Sequence, residues 1–258
     1  MTTRLLLVNR GDDGVVTVTI NRPEQRNALS LNALGQLRES FLELHNDPSL
    51  KCVILTGAGD RSFAAGGDLK ELASYRTRKE AALVSRSGRD ALNAIRQCPA
   101  PVYAAINGHA LGGGAELAMA CDFRFAHASA TLGFIQGRLN ITTSWGGGSD
   151  LIAKLGAGRA LELLLASRTM NMVEARELGL IDQIVPNTAN LGDAVRAHAA
   201  QYLSKPANVI QAFTRLAHAA KSPLRDSLEP IEFDSFVGTW VQDAHWEAAA
   251  ESLSKAKR

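Results

Sequence analysis

Apolar and polar positions first alternate at Val16, Val18 and Ile20, with Thr17 and Thr19 between them. Period two is the signature of a strand with one face on a core, and Asn21-Arg22-Pro23 closes it. The period then lengthens. Leu31, Leu34, Leu37, Phe41 and Leu44 recur at three and four residues, which predicts an amphipathic helix with Ser30 as its N-cap and Asp47-Pro48 as its stop. The run Cys52-Val53-Ile54-Leu55 is continuously apolar, as is Val102 to Ile106. Both predict strands buried on two faces, with a polar helix over 79–97 between them. Strand, helix, strand, helix, strand is the order of an α/β core.

The second half reads differently. A short helix from about Gly114 and a strand near Asp122 to Ala126 precede helical patterns at Leu151 to Leu155, Ala160 to Leu165 and Val173 to Leu178. Beyond about residue 190 no buried-strand run follows. Pro206 and Pro223 divide three helical stretches, the last from Leu224 towards Leu253. The expected organisation is an α/β core over 1–190 and a helical region over 191–258. Phe233, Phe236, Val237, Trp240 and Trp246 load the last stretch with aromatic and apolar surface. Two fates are open to that surface, packing on the chain's own core or burial in a neighbouring subunit. Neither gives it a catalytic part.

Composition narrows the function classes. With 28 Lys+Arg against 26 Asp+Glu the chain carries only +2, too little cationic surplus for a polybasic nucleic-acid binder. Cys52, Cys98 and Cys121 form no Cys-x-x-Cys pair, so a disulfide framework and a zinc site lack support. Leu5 to Val8 is too short for a signal-peptide core, and no apolar run approaches a membrane span. Ala256-Lys257-Arg258 is not a peroxisomal Ser-Lys-Leu terminus. Cytoplasm is the expected compartment, with no membrane or nucleic-acid partner.

The glycines cluster at Gly66-Gly67, Gly112-Gly113-Gly114 and Gly146-Gly147-Gly148. Neither Gly-x-Gly-x-x-Gly nor a phosphate-loop pattern occurs, and metalloprotease and nucleophile-elbow motifs are absent. Two of the clusters instead follow buried strands. Ile54 to Thr56 leads to Gly66-Gly67-Asp68, and Val102 to Ile106 leads through Asn107-Gly108-His109 to Gly112-Gly113-Gly114. Loops at the same ends of two strands can aim backbone N–H groups at one point, the geometry of an oxyanion hole; tight strand-to-helix turns are the plainer use of the same glycines. Glu116 stands just inside the helix that follows, flanked by Ala115, Leu117, Ala118, Met119 and Ala120. A helix apolar nearly all round is a buried helix, and a buried carboxylate without a cation gains proton affinity.

These residues resemble the crotonase, or enoyl-CoA hydratase/isomerase, superfamily. Asn21-Arg22-Pro23 with Asn27-Ala28-Leu29, Phe63 to Lys70 (FAAGGDLK), Asn107 to Asp122 (NGHALGGGAELAMACD) and Ala160 to Pro186 carry the likeness. The resemblance implies an α/β spiral of strand-strand-helix turns with a C-terminal helical trimerisation region, assembled as a homotrimer or hexamer. It implies that the N–H groups of Gly67 and Gly113 hold the thioester oxygen of an acyl-CoA and that Glu116 helps activate water. Arg26, Ala28, Ala65, Gly67, Asp68, Leu69 and Lys70 would line the CoA path, with Arg22 a further candidate for its phosphates. Coenzyme A enters as part of the substrate, with no separate cofactor. A gapless alignment from Leu132-Gly133 to Gly146-Gly147 puts Gln136 where hydratases and isomerases carry a second glutamate. Ser144-Trp145-Gly146-Gly147 also resembles members that decarboxylate malonyl-type thioesters, where an amide at Gln136 could hydrogen-bond the substrate carboxylate. An enoyl-CoA hydratase-like lyase, a decarboxylase of methylmalonyl- or ethylmalonyl-CoA type, and a catalytically weak acyl-CoA-binding protein are the three readings that follow.

Overall fold

The computed structural model describes residues 4–255; Ala256-Lys257-Arg258 lies outside them. The chain starts with a hairpin of β1 (Leu6–Arg10) and β2 (Val15–Ile20), and α1 (Leu31–His45) follows with Ser30 accepting from Ala33 N as its cap. Three turns of one plan come next. β3 (Cys52–Gly57) and β4 (Ser62–Ala64) lead to α2 (Leu69–Leu72) and α3 (Arg78–Arg96); β5 (Val102–Ile106) and β6 (His109–Leu111) lead to α4 (Gly113–Ala120). β7 (Phe123–His127) and β8 (Thr131–Gly133) lead through a 3-10 turn (Gln136–Leu139) to α5 (Gly147–Leu155) and α6 (Ala157–Ala166). A short stretch of β9 (Met170–Asn171), α7 (Met172–Glu177) and β10 (Gln183–Val185) completes the sheets before α8 (Leu191–Leu203), α9 (Ala207–Trp240) and α10 (Asp243–Lys255).

Each turn places its first strand in one sheet and its second in another. The larger sheet runs β1-β2-β3-β5-β7-β10 and the smaller β4-β6-β8-β9. β3, β5 and β7 are parallel neighbours in register Val53↔Val102 and Tyr103↔Phe123. Their residues are almost wholly buried because helices cover one face and the rest of the spiral the other, which explains the continuous apolar runs. Two buried asparagines pin the loops between the sheets. Asn27 Nδ2 donates to Ala58 O and Ser62 O, and Asn107 Nδ2 donates to Gly57 O and Gly59 O. The motif Asn27-Ala28-Leu29 thus has a structural use, satisfying carbonyls that would otherwise be buried unpaired.

Sequence and structure part at the C-terminal helices. Pro223 and Pro230 both sit inside α9, and the chain turns only after Trp240. An interior proline orphans the carbonyl four residues earlier. Here those carbonyls belong to Ala219 and Asp226, both exposed residues on the solvent side of α9, where a lost helix bond costs least, and the helix continues. Phe236, Val237 and Trp240 pack on Leu72, Ala81 and Val84 of the same chain, the own-core fate for this part of the aromatic surface.

Asp150 ties three helices together. It accepts from Arg96 Nε of α3 at 2.9 Å and Arg225 Nε of α9 at 2.8 Å. Asp150→Asn should leave Arg96 buried without its counter-charge and lower stability by about 3–5 kcal/mol, read as an early urea midpoint.

Candidate active site

The smaller sheet brings the two glycine loops together. β4 and β6 pair in parallel, so the chain leaves both strands at the same edge. Leu29 then holds the first loop, its N–H donating to Gly66 O at 2.8 Å and its carbonyl accepting from Asp68 N at 3.1 Å. Gly66 turns at φ +98° and Gly112 at φ +54°, conformations that side chains rarely adopt, and a Cβ at Gly66 would stand 3.3 Å from Gly113 N. The loops touch. Among the described residues, no chain oxygen accepts from the N–H of Gly67 or of Gly113. Gly113 is the first residue of α4, where an N–H has no partner within its own helix.

A cavity of about 500 Å³ opens over these groups, a size suited to a small ligand. Arg26, Ala65, Gly67, Leu69, Gly113, Glu116, Gln136 and Trp145 all line it. Ala28, Asp68 and Lys70 do not. Asp68 caps α2 and pairs with Arg22 at 2.9 Å, while Lys70 is exposed. Arg22 also donates to Ala28 O, so its guanidinium is committed to the loop rather than available to phosphates. Arg26 is exposed and carries no ion pair among the described residues.

Glu116 is only 3% exposed. Its Oε2 accepts from Trp145 N and Gly147 N, each at 2.9 Å, and its Oε1 accepts from Gln136 Nε2 at 2.9 Å. Burial first and the nearby Glu232 carboxylate second push its pKa up to about 7, against the pull of those three donors. An ionised carboxylate orients the Gln136 amide with nitrogen inward, and Gln136 Oε1 is left buried without a partner. Trp145 explains two further glycines. Its ring lies where a Cβ of Gly88 or Gly113 would be, and Arg96 Nη2 fixes its carbonyl at 2.8 Å.

Sequence reasoning missed the far wall. Phe236 and Trp240 of α9 and Ala248, Glu251, Ser252 and Lys255 of α10 also line the cavity, so the helical tail serves the site after all. α10 holds the turn that carries Gln136, with His245 Nδ1 2.7 Å from Leu139 O and Asn140 Nδ2 donating to Ala244 O. The heavy aromatic load was the available signal; its direction was not.

Free backbone donors facing a buried carboxylate across a ligand-sized cavity define an enzyme site for chemistry that builds charge on an oxygen. The comparisons with known proteins agree. Residues 10–249 match the family Enoyl-CoA hydratase/isomerase. The chain is 32% identical over 249 residues to a crotonyl-CoA hydratase of Syntrophomonas wolfei, covering 95% of this chain and 94% of that protein. An enoyl-CoA hydratase structure from Mycobacterium avium subsp. paratuberculosis superposes with TM-score 0.86 at 26% identity, covering 97% and 99% of the two chains. One from Bacillus anthracis gives TM-score 0.80 at 32% identity over 99% and 97%. The chain belongs to the enoyl-CoA hydratase/isomerase (crotonase) superfamily, whose enzymes act on acyl-CoA thioesters, and its fold is the crotonase-like α/β fold with two mixed sheets and C-terminal helices.

Proposed function

We propose that the protein is an enoyl-CoA hydratase-like lyase in which Glu116 is the one acid–base group. The observation that carries this reading is the shared cavity of Glu116 with the unoccupied N–H groups of Gly67 and Gly113. Those N–H groups donate to the thioester oxygen. Glu116 takes a proton from water as the water oxygen bonds the β-carbon, and the double-bond electrons move through the α-carbon onto the thioester oxygen as an enolate. The enolate collapses, the α-carbon takes the proton back from Glu116, and the carboxylate is restored. Gln136 cannot give a proton; its Nε2 donates to Glu116 Oε1 and orients the carboxylate. Arg26 is a cation at the cavity lining for the CoA phosphates.

This arrangement favours hydration over decarboxylation. A substrate carboxylate needs donors, yet one N–H of Gln136 and the N–H of Trp145 are given to Glu116, whose own charge would repel it. The homotrimer or hexamer belongs to the same reading, because Phe213, Leu216 and Ile231 on α9 are exposed apolar side chains that another copy would cover.

The test is a panel of crotonyl-CoA, methylmalonyl-CoA and ethylmalonyl-CoA, followed for loss of the enoyl chromophore and for CO2 release. Hydration is expected, with kcat/KM rising as pH increases through about 7, because Glu116 must be ionised to accept the water proton. CO2 release without hydration overturns the assignment, and silence on every substrate with binding intact favours an acyl-CoA-binding protein.

A further inference from the structure

The turn that binds Glu116 has a second carboxylate on it. Glu232 reaches in from α9, and its Oε1 accepts from Thr143 Oγ1 at 2.6 Å and Gly148 N at 3.0 Å. Its Oε2 accepts from Ser149 Oγ at 3.2 Å and Arg89 Nη2 at 3.1 Å. The consecutive N–H groups of Gly147 and Gly148, at the start of α5, therefore point to two different acids, the buried Glu116 and the half-buried Glu232. Both carboxylates share one helix N-terminus, whose partial positive charge is divided between them.

We propose that Glu232 is a positioning residue for Glu116: it holds the 143–149 turn whose N–H groups grip the catalytic carboxylate, and it sets a second negative charge against that carboxylate. The inference rests on the hydratase reading for its purpose but not for its measurement. A lone carboxylate gripped by three donors would lose proton affinity and be a poor base. Burial first and the Glu232 carboxylate second offset that pull and hold the Glu116 proton affinity up.

Across the cavity from Glu116, Lys255 pairs with Glu251 of α10, and Arg26 carries no ion pair among the described residues. α4 carries no further ionisable side chain beside it. From α3, Arg96 is paired with Asp150 of α5, and Arg89 with Glu232 and, at 3.7 Å, with Glu229 of α9. Arg225 of α9 is also on Asp150. The 3-10 turn supplies Arg138, whose Nε donates to Ser167 O. Arg89 neutralises Glu232 only in part, because it divides its guanidinium between Glu232 and Glu229.

The experiment is infrared difference spectroscopy of the carboxyl band across pH, with Glu116→Gln protein as the subtrahend, so that one group is followed without substrate. Glu232→Gln should lower the Glu116 proton affinity about tenfold, one pH unit, with folding checked by circular dichroism. Arg89→Gln removes the counter-charge of Glu232 and should move the midpoint upward. Movement in these opposite directions supports the proposal, since a purely structural role has no reason to produce it. A Glu232→Gln midpoint that stays put or rises overturns it. Should Glu232→Gln not fold, Arg89→Gln decides alone: an upward shift supports the proposal, and no shift or a downward one overturns it. If crotonyl-CoA is not turned over, the midpoint still reports on Glu232, so failure of the hydratase reading and failure of this one are separable.

Discussion

Glu116→Gln is expected to lower kcat for crotonyl-CoA hydration by roughly 10³-fold with little change in KM, within the span that a positioned acid–base group contributes. The substitution keeps the side-chain shape and one acceptor for the N–H groups of Trp145 and Gly147, so the thermal midpoint should stay near that of the unsubstituted protein. What disappears is the ability to hold the water proton between its departure from oxygen and its arrival at carbon. Gln136, which occupies the neighbouring position, is an amide and cannot take over the proton. Undiminished turnover in steady-state assays would remove Glu116 from the mechanism.

Gly113→Ala is the second large effect. Its Cβ would overlap the six-membered ring of Trp145, and that ring cannot retreat, because Gly88 backs its other edge as closely. The glycine loop must therefore move and carry the Gly113 N–H off the thioester oxygen. Losing one such donor costs about 10²–10³-fold in kcat. The cause can be separated from the mere presence of a methyl group. Gly113→Ala combined with Trp145→Ala should recover most of the rate lost to Gly113→Ala when compared with Trp145→Ala alone, the non-additivity expected of residues in contact. Equal losses in both backgrounds would place the fault elsewhere.

Much of this architecture is legible in the sequence, and the boundary of legibility has physical causes. β2 shows its alternation because Thr17 and Thr19 stay half-exposed while Val16, Val18 and Ile20 are buried. β3 and β5 show continuous runs because both faces are covered. Glu116 stands out because a charge amid alanines and leucine has few places to be but buried. The smaller sheet is invisible because β4, β6 and β8 have three residues each, too few to display a period. Pro223 and Pro230 mislead because a proline's cost depends on whether its orphaned carbonyl meets water. The cavity residues on the two glycine loops are readable from local motifs, whereas Ala28, Asp68 and Lys70 belong to the same motif strings and do not line this cavity. Glu232 is unreadable because its significance lies in a turn far back along the chain, and its own helix presents a largely charged, exposed face.

The unbroken course of α9 through both prolines has a consequence for heredity. One continuous rod begins beside α8, supplies the acid on the α5 turn and ends as a wall of the cavity. An insertion of a single residue between Pro223 and Glu232 would rotate everything after it by about 100° around the helix axis, taking Glu232, Phe236 and Trp240 off their partners together. Point substitutions on the outer face are free to drift; changes in length are not. Homologues that preserve this wiring should vary in the composition of this helix far more readily than in its residue count.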